Sequence, residues 1–578
     1  MRKPLLFAGA AVAAILAVPV TAKLSKDAKA AHALDRLTFG PRQGDVERVS
    51  SLGLKKWLDQ QLHPDRIAEN PALDAKLKPL DTLRMSTSQV IETYPTPQLV
   101  QRMANGTLPL PSDPDKRRVA ERLVQQYKNR INGTNAGNNN PPRDVRAEMA
   151  KLLTPEQVRT LRNGSDDQRR KVLESLPEEK RGDLMAIAPG DARRNLFETM
   201  SPEQRRRLIE VRQPAQLIVQ DLLEAKLYRA VYSNRQLAEV LTDFWFNHFN
   251  VFLDKGPDRY MVTSYERDAI RPHVLGKFKD MVLATAHHPA MLFYLDNWQS
   301  VGPQPVGGRG PRRGLNENYG RELMELHTLG VDGGYTQKDV TEVARCFTGW
   351  TIREPQRTAE FFFNDRTHDQ GEKTVLGVKI PAGGGKEDGL KVIDILVHHP
   401  STARYISKRL AVRFVSDNPP PKLIDRMAKT FTSTGGDLRA VMKTMFDSKE
   451  FWDEKYYRAK VKTPLEMVAS SVRALNADVI YASALAESIT QLGQPLYRKQ
   501  EPTGYSNSSE EWINSASLVG RMNFAMALVE NRVPGVKVEA AAFPGLRVVS
   551  KETKASVEKA TPVQSSGLLI GSPDFQRR

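Results

Sequence analysis

Apolar positions recur every three to four residues along most of the chain, which puts them on one side of an α-helix. AHALDRLTFG (31–40) and DVERVSSLGLKKWLDQQLHP (45–64) read as two helices, the first stopped by glycine and the second by proline. Residues 81 to 132 continue the helical pattern with polar interruptions. QLIVQDLLEAKLYRAVYS (216–233) and RQLAEVLTDFWFNHFNVF (235–252) carry the clearest helical periodicity. TQKDVTEVARCFTGW (336–350) opens with Thr336 and Asp339 in a capping-box arrangement and closes at Gly349. Helices resume over 387–450 and 463–533. The strand signal is confined to 359–381, two short runs around a polar turn, so a small hairpin at most is expected there. The expected fold is mainly α, a multi-helix core.

Between 154 and 212 the pattern changes to a short repeat. TPEQVRTLR, SDDQRRKVLES, LPEEKRGDLMAI, APGDARRNLFETM and SPEQRRRLIEV follow one another at 11 to 13 residues. Several open with a Ser or Thr cap or a first-turn proline, and each supplies a Leu or Val for burial. This predicts a run of short helices inserted into the main fold, joined through the linker-like GTNAGNNNPP (133–142). The expected organisation is a leader (1–22), an N-terminal helical part (23–132), linker and repeat insertion (133–213), the main core with the candidate site (214–535) and a C-terminal segment returning to the core (536–578).

Composition narrows the function. The 578 residues are 40% hydrophobic and 26% charged, which is globular rather than disordered. A net charge of +17 invites anionic partners. Even the basic-looking stretch 143–212, however, sets 16 Lys and Arg against 13 Asp and Glu. Such interleaving belongs to solvated helix faces, so nucleic acid is not the expected partner. Arg2 and Lys3, a 16-residue apolar run and Val20-Thr21-Ala22 form a secretory signal with cleavage near Ala22. The run is short for a membrane span, and the mature chain is expected to have none. The only cysteine is Cys346, so there is neither an internal disulfide nor a lipid-modified cysteine after the signal. The expected location is the periplasm.

Candidate chemistry gathers in the middle of the chain, where eight of the ten histidines fall between 248 and 399. NENYGRELMELH (316–327) sets two glutamates and a histidine within six positions, 322–327, preceded by Arg321, in one predicted helix capped by Asn316 and ended by Gly330. At about 100° per residue, Asn318, Arg321, Glu322 and Glu325 share one face, and Tyr319, Leu323 and Leu326 form the core stripe. His327 falls beside that stripe, on the far side from Glu325, so the two cannot chelate one ion from an intact helix. Glu322 and Glu325 are candidate acid–base groups or metal ligands, with Arg321 orienting them; a solvated, salt-bridged face has the same pattern. His248 lies among aromatics, as a core histidine or, bordering a cavity, a neutral base. Asp296 ends HPAMLFYLDN and leads into a Gly/Pro/Arg loop (298–315) whose Arg312 is a candidate anion clamp. Asn316, Asn318, Arg312 and Lys373 are the expected substrate contacts. His368 and Asp369 could hold a divalent metal, although a hairpin turn accounts for the same residues. There is no GxSxG elbow, Walker A loop or HExxH motif.

Several stretches together resemble the large bacterial family called "domain of unknown function 1800": AHALDRLTFGP with LGLKKWLDQQL, FWFNHF, HPAMLFYLDN, NENYGRELMELHTLGVDGGYTQKDVTEVARCFTGW, HDQGEKTVLG, KTPLE, EWINSASLVGRMNFA and GSPDFQRR. The resemblance runs from about residue 30 to the C-terminus, interrupted by the repeats. It implies an exported bacterial protein and supplies no reaction. It also implies a partner, since such genes often neighbour another exported family, numbered 1501. One departure is Tyr505, where the family commonly has tryptophan. Two functions are compatible with the residues. One is an envelope or periplasmic enzyme, hydrolase-like and metal-assisted if a metal binds, with a carboxylate/histidine site. The other is a non-enzymatic assembly module acting with an exported partner, in which Arg321–Glu325 and Asn318–Glu322 pairs would lock helices together.

Overall fold

The computed structural model describes residues 24–132, 145–177, 200–302, 314–539 and 550–578, together with 180, 181, 183, 184, 196 and 197. The leader, the 133–142 linker and Arg312 lie outside the described residues. The architecture is mainly α, as the periodicity predicts. Among the described residues no helix is long and apolar enough to cross a membrane.

The core is built around the long helix Pro214–Tyr232, which is buried on almost every side. The helices Asp258–Ser264, Pro464–Ala474 and Ser483–Gln491 pack against it. Its near-continuous apolar surface, carrying Leu217, Ile218, Val219, Leu222 and Leu227, explains why it is central rather than peripheral. Helix Gln236–His248 follows and delivers Phe244, Trp245 and His248 into the same core.

The two ends of the described chain meet. Helix Lys26–Leu37 buries Arg36, whose guanidinium donates to Tyr456 O at 2.5 Å. The C-terminal residues pair with the 460s: Arg578 N donates to Lys460 O at 2.8 Å and Lys462 N to Gln576 O at 2.9 Å. The Arg578 side chain reaches Glu466 at 3.1 Å, and Glu466 also pairs with Arg413. All three side chains are at most 4% exposed. Glu466 is also the capping residue of its own helix, accepting from Thr463 N at 2.9 Å.

Strand pairing is more divided than the sequence suggests. Glu360–Phe363 does not pair within 359–381 but returns to Trp350–Arg353. Lys373–Val375 pairs with Val378–Ile380. The second pair closes over Leu376 and Gly377, both at positive φ, as a two-residue hairpin requires. A third two-stranded pair joins Asp478–Val479 to Val536–Lys537. The pairing of Trp350–Arg353 escaped notice because its apolar residues looked like the tail of a helix.

The repeat stretch forms short helices, including Pro155–Asn163, Asp166–Ser175 and Pro202–Arg212. Each opens with a Ser or Thr whose side chain caps the helix reciprocally with a glutamine three residues on. Leu153, Leu161, Leu173, Leu176, Leu184, Leu196 and Met200 form an apolar cluster distinct from the main core. The seam to that core is polar and aromatic. Arg206 pairs with Asp81 and Asp221, and Phe197 meets Tyr481 edge-on at 5.0 Å.

Candidate functional site

The stretch 316–330 departs from regular helix geometry. The Asn316 side chain accepts from Asn318 N at 3.0 Å, and Gly330, at φ +85°, ends the element. Between them, helix Asn318–Glu322 gives way to a π-helical turn, Leu323–Thr328. Leu329 N donates to Met324 O, five residues back, at 2.8 Å. The wider turn invalidates the 100° step beyond Glu322. The buried set becomes Tyr319, Gly320, Leu323, Met324, His327 and Thr328, while Leu326 is only half-buried. His327 thus takes the core place expected of Leu326. Helix Asp258–Ser264 likewise runs into a π-helical turn, Tyr265–Ile270. Such turns concentrate at functional sites because they re-aim side chains without breaking the helix.

Outside the core, Glu322 and Glu325 remain half-exposed. Glu325 accepts a hydrogen bond from the Tyr335 hydroxyl at 3.3 Å. Glu322 has no hydrogen-bond partner among the described residues. Burial, reinforced by the charge of Glu325 and opposed by Arg321, pushes its carboxyl up to about 7. Arg321 makes its bonds elsewhere, to Glu317 at 3.2 Å and Gln337 at 2.9 Å. Asn318 is exposed. The side-chain pairs formed here are therefore Arg321–Glu317 and Tyr335–Glu325, not the Arg321–Glu325 and Asn318–Glu322 pairs of a locking network.

His248 is 2% exposed and sits among Trp245, Phe249, Phe278 and Tyr405. Its Nε2 lies 3.0 Å from His327 O, the acceptor, so Nε2 carries the proton and donates. Burial, aided by the Arg409 charge, lowers both imidazoles, His327 to about 3, and keeps them neutral. Tyr405 donates to Leu326 O at 3.1 Å and packs its ring where Gly330 has no Cβ.

Asp296, at φ +59°, is held by Lys255, whose ammonium lies 2.9 Å from both carboxylate oxygens and 2.5 Å from Tyr294 O. Tyr294 feels the charges of Glu322, Asp258 and Glu501 and is the link between Glu322 and this corner. Asp258 is wholly buried, and neither of its oxygens has a partner. Burial, reinforced by the Asp296 charge and opposed by Lys255, holds its carboxyl well above the usual range.

The polar side chains of the FNHFN segment fasten one wall. Asn250 donates to Lys499 O and Glu501 O, and Asn247 exchanges hydrogen bonds with the backbone of Tyr505. Tyr505, at the position of the expected tryptophan, donates to Pro495 O at 2.7 Å. Gly504 makes this docking possible. At φ +69°, any Cβ would stand 2.1 Å from Asn247 O. Gly504→Ala is expected to destabilise the protein by about 1–3 kcal/mol, from left-handed strain plus the clash. Gly377→Ala, also at positive φ but with open space around it, is expected to lose about 1 kcal/mol or less. Comparing urea midpoints of the two variants checks this.

His368, Asp369 and Lys373 belong to another cluster. His368 donates from Nδ1 to Thr348 O at 2.7 Å, and its Nε2 lies 3.1 Å from Asp388. Lys373 reaches Asp388 at 2.6 Å, and Arg345 grips Asp369 with two hydrogen bonds. The expected metal ligands are thus occupied by partners from the fold. Among the described residues no group of three or more His, Cys, Asp or Glu is placed to hold a metal ion.

Sequence reasoning did not single out Tyr294, Asp258, Asn250, Tyr335, Tyr405 or Arg409. Tyr335 lies inside the motif-rich 316–350 stretch and could have been found there. Arg409 looks like any arginine on an amphipathic helix.

Fold and site together define a mainly helical protein carrying a half-buried pair of glutamates where a helix gives way to a π-helical turn. The chain belongs to the family described as "Protein of unknown function (DUF1800)", whose model matches residues 32–577. No curated protein and no solved structure matches it.

Proposed function

We propose that this protein is an exported enzyme in which Glu322 and Glu325 carry out acid–base chemistry, in a hydrolase acting on an envelope polymer or a small ester. The reading rests on one observation above the others. Glu322 is half-buried, unbonded and beside a second carboxylate, and its carboxyl is pushed up to about 7. A group poised there can both give and take a proton at neutral pH, which is the property a general acid–base catalyst needs. Glu325, held by the Tyr335 hydroxyl, lies next to Glu322 and adds to that rise. Tyr294 and the Lys255–Asp296 pair would border the substrate. The secretory pattern of the N-terminus supports export to the periplasm.

The test is a screen of chromogenic esters and glycosides with purified full-length protein. Hydrolysis should depend on one ionisation near pH 7 and should fall by about 10²–10⁴-fold in Glu322→Gln. A hydrolytic activity that survives Glu322→Gln unchanged would defeat the reading.

A further inference from the structure

Next to the segment that carries Glu322 and Glu325, several buried atoms lack hydrogen-bond partners, among them Trp245 Nε1, His248 Nδ1, His327 Nε2 and Arg409 Nε. Their side chains are neighbours. The two imidazole centroids are 6.2 Å apart, and the Arg409 charge acts on both rings. The Arg409 guanidinium stands 5.9 Å from the Tyr405 ring centre, and that ring is 6.2 Å from His248. Each histidine is 2% exposed. Buried polar atoms are nearly always bonded, so unpartnered atoms gathered on neighbouring side chains call for a partner that the fold itself does not supply.

The hydrogen-bonding pattern says what fits. His248 Nε2 already donates to His327 O, so Nδ1 of the neutral ring is an acceptor. Arg409 Nε–H can only donate, and His327 Nε2 is free to donate. The occupant must accept two hydrogen bonds and bring a proton to His248. An oxyanion that keeps one proton, as hydrogen phosphate does, meets this pattern, whereas a carboxylate has no proton to offer His248. The fixed charge of Arg409 favours an anion over a metal cation.

We infer that Arg409, His248 and His327 bind a phosphate group of the molecule on which Glu322 acts. The link to Glu322 rests on the acid–base reading above; the binding by the Arg409–His248–His327 cluster does not. Tyr405, which feels both Arg409 and Glu325, connects the two.

The experiment titrates the full chain separately with inorganic phosphate and with acetate. Binding is followed by calorimetry and by the resonances of ¹⁵N-labelled histidines. Saturable binding of phosphate is expected, with shifts at His248 and His327, and acetate, which cannot donate to His248, should bind at least about tenfold more weakly; acetate binding as tightly as phosphate would overturn the assignment. Arg409→Met should weaken binding at least about tenfold by removing a charge-assisted hydrogen bond. Arg409→Lys, which keeps the charge without Nε–H, should fall between. Glu322→Gln should bind at least as tightly as wild type. If phosphate does not move the two histidines, or if folded Arg409→Met binds as well as wild type, the cluster holds only water and the inference fails, with the role of Glu322 untouched. Phosphate binding by a protein whose hydrolysis survives Glu322→Gln would support binding by the cluster and defeat the acid–base reading instead.

Discussion

Glu322→Gln is expected to lower kcat/KM by about 10²–10⁴-fold, the usual contribution of a positioned general acid or base. The same substitution should stabilise the fold. The folded-state value of Glu322 lies at about 7, above the ordinary 4.5 of an unfolded chain. The folded protein therefore binds the extra proton more tightly between these values, and stability falls as pH rises through that window. Below about pH 4.5 the residue is neutral in both states and costs nothing; above about pH 7 the full penalty applies. Because the carboxyl is only half-buried, solvent screening reduces that penalty to about 1–2 kcal/mol. Glu322→Gln should thus gain about that much over wild type at pH 8 and almost nothing at pH 4, as read from urea midpoints. Loss of activity with gain of stability is the mark of a residue kept for chemistry. A residue that locks helices would lose both.

The largest stability effect is expected at Glu466. Its carboxylate faces Arg413 and Arg578, each buried, and caps its own helix. Glu466→Ala would leave two guanidinium groups out of water without a counter-charge and would remove the cap. About 3–5 kcal/mol should be lost. Denaturant unfolding of the full chain reads this directly. Loss of less than about 1 kcal/mol would show that water reaches these arginines. The same ion pairs explain why the GSPDFQRR ending is so distinctive in the sequence: Arg578 is a core residue, 2% exposed, rather than a tail.

Much of the fold was legible because local chemistry fixes it. The Ser and Thr caps and first-turn prolines announced the repeat helices, and positive-φ glycines ended elements where the sequence placed them, as at Gly330 and Gly349. The sequence also separated Glu322 and Glu325 from His327. It did so with a regular helix, and the structure reaches the same separation by a π-helical turn that no local pattern announces. The exchange of Leu326 for His327 in the core follows from that turn. Pairing of Trp350–Arg353 with Glu360–Phe363 was hidden because its partners are chosen by tertiary packing. Burial was the least legible quantity. It sets the titration of Glu322, isolates Asp258 and strands the nitrogens of His248 and His327. None of these follows from residue type or spacing.

The most direct measurement is the titration of the Glu322 carboxyl itself in the intact protein. The ¹³C carboxyl resonances of glutamate-labelled protein, followed from pH 4 to 9 and assigned with Glu322→Gln, give it. A transition near pH 7 that falls toward the ordinary glutamate range when Glu325→Gln removes the neighbouring charge is the predicted result. A Glu322 resonance that titrates near 4.5 in the wild-type protein would contradict the account.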